Sequence, residues 1–177
     1  MNTAPSVLDA IDHFPVVLAK RFLGDGATHG LIEALHVLNA AQRFPCRVLV
    51  ECAVPAEARL VDAVRAGGSV THITASRAQV LALASNTGLP DWLDAARDRD
   101  ALLVWDDLDR TEACVVLPVL RAAGVPALIA TTTPIRSSVP YVVFPASRPS
   151  RARPVAGPDT MRIRWYSRGA SASCPDA

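Results

Sequence analysis

The middle of the chain alternates short, valine-rich apolar runs with segments of helical pattern. The apolar runs are too short for helices, and their composition is typical of buried strands. They cover residues 46–52, 69–74, 101–105, 125–131 and 139–145, and helical patterns cover 55–68, 76–88, 89–100 and 109–124. Strands that alternate with helices predict parallel βαβ units. The sequence therefore predicts an α/β fold, a three-layer αβα sandwich with a mostly parallel sheet of about five strands.

The residues on either side of this alternation have different characters. Residues 5–23 predict one or two short helices, and residues 28–43 have the leucine spacing of an amphipathic helix. The end of the chain is dense in Pro, Ser and Arg, which is typical of a linker or tail. We therefore predict three regions: an N-terminal helical segment packed on the core at 1–45, an α/β core at 46–145, and a basic, partly disordered tail at 146–177.

The composition limits the partners and the compartment that we expect. The formal net charge is +1, so the overall charge does not call for nucleic acid or a membrane surface. No uncharged apolar window reaches about eighteen residues, and the first residues lack the pattern of a signal peptide. These features predict no membrane span and a cytoplasmic location. The four cysteines show no CxxC spacing, so no zinc site is predicted.

One strand–loop–helix segment has the outline of a phosphate-binding loop. Such loops follow G-x-x-x-x-G-K-[ST], in which backbone N–H groups surround the phosphates, the Lys reaches them and the hydroxyl binds Mg²⁺. In RVLVECAVPAEARLVDAV, residues 47–64, we align Arg59 with the lysine of this pattern. Both glycine positions are then occupied by Ala, and the hydroxyl position is occupied by Leu. The candidate nucleotide-binding positions here are Ala53, Pro55, Ala58, Arg59 and Leu60. An ordinary strand–turn–helix, with Glu57 favourably placed at the helix N-terminus, is the alternative interpretation.

Two adjacent acids follow the most apolar of the predicted strands. The run ALLVW continues directly into Asp106 and Asp107. In nucleotide hydrolases, the first acid after such a strand holds Mg²⁺ through water, and the second polarises the attacking water. Asp106 is therefore a candidate metal-binding and catalytic residue, and Asp107 is a second catalytic candidate. The alternative is structural, because Asp109 and Glu112 have the spacing of a capping box at the start of a helix.

The next strand along the chain ends in a polar run. Three threonines close the segment ALIATTTP, residues 127–134, and Thr131 is the first of them. A polar residue beside an acidic strand can sense a γ-phosphate or position water, which makes Thr131 a further nucleotide-binding candidate. A strand that simply ends in a turn before Pro134 is the alternative.

The order and spacing of these three pieces carry a family resemblance. The run from Arg47 to Thr133 resembles the core of the additional-strand P-loop NTPases, the AAA+/RecA-like class. RVLVECAVPAEARLVDAV looks like the nucleotide loop with a degenerate Walker A motif, ALLVWDDLD like the acidic strand, and ALIATTTP like the sensor strand. The segment from 98 to 134 also resembles, loosely, secretion and pilus motor ATPases. The resemblance implies a strand order of 5-1-4-3-2, with the acidic strand next to the second strand.

Three functions compete at this point. The favoured hypothesis is a catalytically impaired P-loop NTPase-like domain that acts by binding a protein partner or a second copy of itself, with no cofactor expected. The alternative is a divergent ATPase that binds Mg-ATP and uses Asp106 and Asp107, in DNA handling, conjugation or secretion. The third is a nucleic-acid-associated module that uses the basic tail at 148–168.

Overall fold

The computed structural model describes residues 6–12, 16–19, 27–52, 54–85, 90–131, 142–145 and 164–165, with backbone alone for 16–19, Ala27, 142–145 and 164–165. Thirteen elements are defined within these residues. The helices are α1 Val7–Ile11, α2 Ala27–Ala40, α3 Ala58–Arg65, α4 Arg77–Ala82, α5 Asp91–Asp98 and α6 Arg110–Ala123. The strands are β1 Val16–Ala19, β2 Cys46–Glu51, β3 Ser69–Thr74, β4 Leu102–Leu108, β5 Ala127–Thr131, β6 Val142–Pro145 and β7 Arg164–Trp165.

A parallel sheet lies at the centre of this α/β fold. Its four strands with described side chains stand in the order β3-β2-β4-β5, whereas the sequence predicts about five strands. The backbone continues the sheet beyond β5, where β1 pairs with β5 and β6 pairs with β1, both in parallel. The short β7 then pairs antiparallel with β6. The fifth predicted strand, 139–145, thus corresponds to β6, and it does not lie next to β5.

The N-terminal segment differs from its prediction in one important respect. Helix α1 confirms a short helix within residues 5–23, but the next element is strand β1. Four apolar residues, VVLA, fit a helix or a strand equally well by local pattern. Pairing decides between them, because β1 lies between β5 and β6, with a parallel partner on each side.

The strand order also corrects an expectation. With residues 46–52 as the first strand, the family resemblance places the acidic strand beside the predicted strand at 69–74. Instead, β4 lies between β2 and β5, and β3 is at the end of the sheet. Two features account for the difference: the missed strand β1 shifts the count of every later strand by one, and β3 lies at the end of the sheet and not beside the acidic strand.

Helices pack on both faces of the sheet, and the strand side chains alternate between them. On one face, Leu102 and Val104 of β4 join a buried cluster with residues of α1, α2 and α3. On the other face, Leu103 and Trp105 join a cluster with residues of α4, α5 and α6. This alternation directs the next side chain of β4, that of Asp106, toward α2.

The start of α6 confirms the capping box expected from the sequence. The Asp109 side chain accepts a hydrogen bond from the backbone N–H of Glu112, and the Glu112 side chain accepts one from the backbone N–H of Asp109. Among the described residues, no helix has the length and hydrophobicity needed to cross a membrane.

Candidate functional site

The first turn of α2 meets the carboxyl end of β4 at one side-chain contact. The Thr28 hydroxyl donates to the Asp106 carboxylate, with distances of 3.3 Å to Oδ1 and 3.0 Å to Oδ2. Thr28 is the second residue of α2, and its hydroxyl therefore lies where a helix presents unpaired backbone N–H groups. The structure thus joins Asp106 to a residue that the sequence analysis did not single out.

The electrostatic surroundings of Asp106 are unfavourable for a charged carboxylate. Burial raises the pKa of the Asp106 carboxyl above its ordinary value, while the hydrogen bond from Thr28 lowers it. The negative charge of Asp107 and that of Glu57 add to the rise, and a hydrogen bond from the backbone N–H of Asp107 opposes it. A cation placed at this carboxylate would relieve the repulsion from both neighbouring acids.

Asp107 lies in the same strand but faces solvent. Its side chain is exposed, and its backbone has a φ of +62°, in the left-handed region. Asp106 and Asp107 therefore have different environments, although they are adjacent in sequence. Asp106 is the acid that contacts α2.

Thr131 ends the strand next to β4. It is 1 % exposed and is aligned with Leu108 of β4 on one side and with Ala19 of β1 on the other. Its hydroxyl is buried and has no hydrogen-bond partner among the described residues. An unpaired buried hydroxyl costs about 1–3 kcal/mol and calls for an explanation. The two threonines that follow it lie outside the described residues.

The predicted nucleotide loop between β2 and α3 makes its polar contact internally. The backbone N–H of Ala56 donates to the Glu51 carboxylate at 3.1 Å, so a side chain of this chain already accepts from the turn. Leu60 is fully buried in the cluster that contains α1, α2 and α3. These contacts are those of an ordinary strand–turn–helix.

The remaining candidates in this loop have no described ligand geometry. Pro55, Ala58 and Arg59 are exposed, and Ala53 lies outside the described residues. Arg59 is in the first turn of α3, beside the N-cap residue Glu57, whose side chain makes no capping hydrogen bond. Because β2 pairs with β4, this turn is near the same edge of the sheet as Asp106.

A signal for Thr28 was present in the sequence. The tripeptide Gly26-Ala27-Thr28 matches the glycine and the hydroxyl residue at the end of G-x-x-x-x-G-K-[ST], with Ala in place of the lysine. It follows the run VVLA, which was assigned to a helix, so the strand that should precede such a loop was not recognised. The residues that join β1 to α2, 20–26, lie outside the described residues.

The Thr28 hydroxyl and the Asp106 carboxylate both offer oxygen atoms as metal ligands, and oxygen ligands suit a hard cation. A hydroxyl and a carboxylate are the protein groups that commonly accompany substrate phosphates around Mg²⁺. Within the described ranges, no group of three or more His, Cys, Asp or Glu side chains is arranged to hold a metal ion. A cation at Asp106 would therefore need phosphate or water oxygens to complete its coordination.

The acids just beyond β4 have a structural role. Arg77, at the start of α4, contacts Asp109 at 2.7 Å and Glu112 at 3.9 Å. These contacts tie the first turn of α4 to that of α6. Asp109 and Glu112 are thus occupied by capping and ion pairing, which leaves Asp106 as the acid available on the α2 side.

Comparisons with known proteins gave no match, either to a protein-family model or to a curated protein sequence.

Proposed function

We propose that this protein is a P-loop NTPase-like domain that binds a magnesium–nucleoside phosphate between the first turn of α2 and the end of β4. The hydroxyl of Thr28 and the carboxylate of Asp106 are the protein groups closest to the metal in this proposal. Helix α2 has fourteen residues, so its N-terminus offers a full helix dipole to a phosphate. The proposal moves the nucleotide loop from the β2–α3 turn to the β1–α2 connection.

The contact between Thr28 and Asp106 is the observation that carries the proposal. A hydroxyl in the first turn of a helix and an acid at the end of a buried strand are the two groups that phosphate-binding folds use around Mg²⁺. Here they lie 3.0 Å apart at their closest oxygens. Thr131 is not counted in this pair, because it is aligned with Leu108, which belongs to the buried cluster on the face of α4, α5 and α6.

The strand order is compatible with the proposal when the two edge strands of the sheet are left out. With β1 as the first strand and both β3 and β7 set aside, the observed neighbours read β6-β1-β5-β4-β2. This is the order 5-1-4-3-2 that the family resemblance implies. The acidic strand β4 is then the third strand and lies beside the second, β2. The three-layer arrangement of this class agrees with helices on both faces of the sheet.

Loss of the loop lysine argues for slow or absent hydrolysis. Ala27 stands where the pattern has the lysine that reaches the phosphates. A charge-assisted contact of this kind is worth about 1.5–3 kcal/mol, and its loss weakens the stabilisation of a developing phosphate charge. We therefore propose a domain that binds nucleotide and acts through a protein partner in the cytoplasm, rather than an efficient ATPase.

Calorimetric titration of the full chain with Mg-ATP tests this proposal. We expect wild-type protein to bind, Thr28→Val to bind about tenfold more weakly, and Asp106→Asn to lose the gain in affinity that Mg²⁺ provides. Arg59→Ala is the matched control, because Arg59 belongs to the alternative loop and is exposed. No detectable binding of Mg-ATP to the wild-type chain at millimolar concentration would reject the proposal.

The control variant also separates the two candidate loops. If Arg59→Ala abolishes binding and Thr28→Val does not, the nucleotide site belongs to the β2–α3 turn. The nucleic-acid alternative, which depends on residues 148–168, stays a prediction, because nearly all of that tail lies outside the described residues.

A further inference from the structure

Strand β3 forms one end of the sheet, and it lacks the features that usually protect an edge strand from further pairing. Its six residues, SVTHIT, include no Lys, Asp, Glu or Pro. They align one to one with β2, without a bulge. Charged residues, prolines and bulges commonly protect edge strands, because an open row of backbone groups pairs readily with another strand. Within the described ranges, β3 is paired on its β2 side alone.

The hydrogen bonds from β3 to β2 show which backbone groups lie on the open side. The N–H of Ser69 donates to the carbonyl of Pro45, and the N–H of Ala75 donates to the carbonyl of Glu51, both at 2.9 Å. Successive residues of a strand direct their backbone groups to opposite sides, so the odd-numbered residues of β3 face β2. The N–H and C=O groups that point away from the sheet are therefore those of Val70, His72 and Thr74.

Helix α5 lies beside this edge, on one face of the sheet. A cavity of about 70 Å³ lies between the helix and the strands, and its lining includes Cys46 of β2, Thr71 and Ile73 of β3, and Trp92 of α5. The helix therefore covers β2 and β3, which are the last two strands of the sheet on this side.

Three residues form a line along the edge side of α5. Asp91, Ala95 and Arg99 are spaced four positions apart, so they lie on one side of the helix, and all three are exposed. Ala95 and Arg99 also line the cavity beside β3. Because only three residues separate α5 from β4, Arg99 lies at the amino end of the strands and Asp91 lies toward their carboxyl end. Neither forms an ion pair with a described residue.

We infer that this edge is a dimer interface, in which two copies of the chain pair their β3 strands antiparallel about a two-fold axis at His72. In this arrangement Val70 of each copy is opposite Thr74 of the other, and every outward N–H and C=O group of the three residues has a partner. The same axis sets the two α5 helices antiparallel. Asp91 of each copy then faces Arg99 of the other, with the two Ala95 side chains between them.

The distances of this arrangement suit two packed helices. Paired strands lie about 4.8 Å apart, and α5 covers the last two strands, so the two copies of α5 lie about 10 Å apart across the axis. Packed helices are separated by about 8–10 Å. The edge thus complements itself in backbone hydrogen bonds, in charge and in spacing, which favours a second copy over an unrelated strand. The dimer goes beyond the function proposed above and does not depend on nucleotide.

Analytical ultracentrifugation of the full chain measures the dimer directly, as a species of twice the 18.8 kDa chain mass. We expect the wild type to dimerise below about 100 µM and His72→Pro to raise the dissociation constant at least about tenfold. Proline removes the central outward N–H and leaves the hydrogen bonds to β2 in place. His72→Ala keeps that N–H, so this matched control should stay within about twofold of the wild type.

Two results would overturn the inference. One is a wild-type chain that stays monomeric at about 100 µM, which would leave the edge to a different protein or to another segment of this chain. The other is a folded His72→Pro variant that dimerises as tightly as His72→Ala, because the interface would then lie elsewhere.

Charge reversal tests the two-fold arrangement without a proline, and it decides the question if His72→Pro does not fold. Asp91→Arg and Arg99→Asp should each weaken the dimer about tenfold, because each places like charges opposite each other twice in the dimer. The double variant restores both pairs and should return to within about threefold of the wild type. Losses that add in the double variant, or single variants that dimerise like the wild type, would overturn the inference.

Discussion

The hydroxyl of Thr28 and the carboxylate of Asp106 form a hydrogen bond across 78 positions of the sequence. The contact joins the first turn of α2 to the end of β4. Helix α2 follows β1, and β5 lies between β1 and β4 in the sheet. It brings a hydroxyl to a carboxylate whose charged form is disfavoured by burial. Burial of this carboxylate is unfavourable for its charged form, and the hydrogen bond from Thr28 offsets part of that cost.

Replacing Thr28 by Val should destabilise the fold by about 1–2 kcal/mol at neutral pH. Val has nearly the shape of Thr but no hydroxyl, so the partly buried carboxylate of Asp106 loses a hydrogen-bond donor. Urea unfolding measures this change. In a double-mutant cycle with Asp106→Ala, we expect a coupling energy of about 1 kcal/mol. Additive effects within about 0.3 kcal/mol would show that the contact contributes nothing to stability.

Asp106→Asn should stabilise the protein at neutral pH. Burial raises the pKa of the folded-state carboxyl, so the folded protein binds a proton more tightly than the unfolded chain does. The stability of the wild type therefore falls as the pH rises from the ordinary aspartate pKa of about 3.9 through the raised value, and the loss is complete above it. The advantage of the Asn variant should be small at about pH 3 and grow to a plateau above the folded-state pKa.

Thermal unfolding from about pH 3 to about pH 8 measures this difference. Asp98→Asn is the matched control for the removal of one carboxylate, since the Asp98 side chain is 70 % exposed. A melting temperature of Asp106→Asn that stays parallel to the wild type over the whole range would contradict the prediction.

The buried guanidinium of Arg47 should make Gly67 intolerant of a side chain. Arg47 is 1 % exposed and donates to the backbone carbonyls of Phe44, Ala63 and Val64 at 3.2–3.3 Å. A Cβ built on Gly67 would lie 1.9 Å from the Cζ atom of Arg47. Because those hydrogen bonds hold the guanidinium in place, we expect Gly67→Ala to cost about 2–4 kcal/mol in urea unfolding.

Gly124→Ala separates this steric effect from the ordinary cost of replacing glycine. No atom lies within 4 Å of a Cβ built on Gly124, but its φ is +67°, so the expected cost is about 1 kcal/mol. Equal destabilisation by the two substitutions would mean that Arg47 moves away freely and that its carbonyl contacts are weak.

Asp109→Ala should lower stability by about 1–2 kcal/mol, because it removes the N-cap of α6 together with the ion pair to Arg77. Ser6→Ala removes the equivalent cap of the short helix α1 and has no ion pair, so it serves as the comparison. Nucleotide affinity should not change in Asp109→Ala, since this acid acts at the start of α6. A loss of Mg-ATP affinity without a loss of stability would indicate that Asp109 belongs to the binding site.

The types of most secondary-structure elements could be predicted from local patterns. Strands β2, β3, β4 and β5 all fall within or overlap the predicted apolar runs, and the capping box of Asp109 and Glu112 follows from two residues three positions apart. Asp106 could be selected because an acid after a buried strand is a local signal. Its partial burial, its hydrogen bond with Thr28 and its contrast with the exposed Asp107 could not, because they depend on how α2 packs against β4.

The sequence by itself determined that this chain builds an α/β fold and that Asp106 directly follows its most apolar run, because periodicity and composition act over neighbouring residues. Only the tertiary structure decided that VVLA is a strand, that β4 lies between β2 and β5, and that Thr28 is the partner of Asp106. Strand pairing depends on hydrogen bonds between residues far apart in the chain, and four apolar residues fit a helix or a strand until those partners are known. In the candidate loop named from the sequence, the turn after β2, the backbone N–H of Ala56 donates to the carboxylate of Glu51 in the same chain.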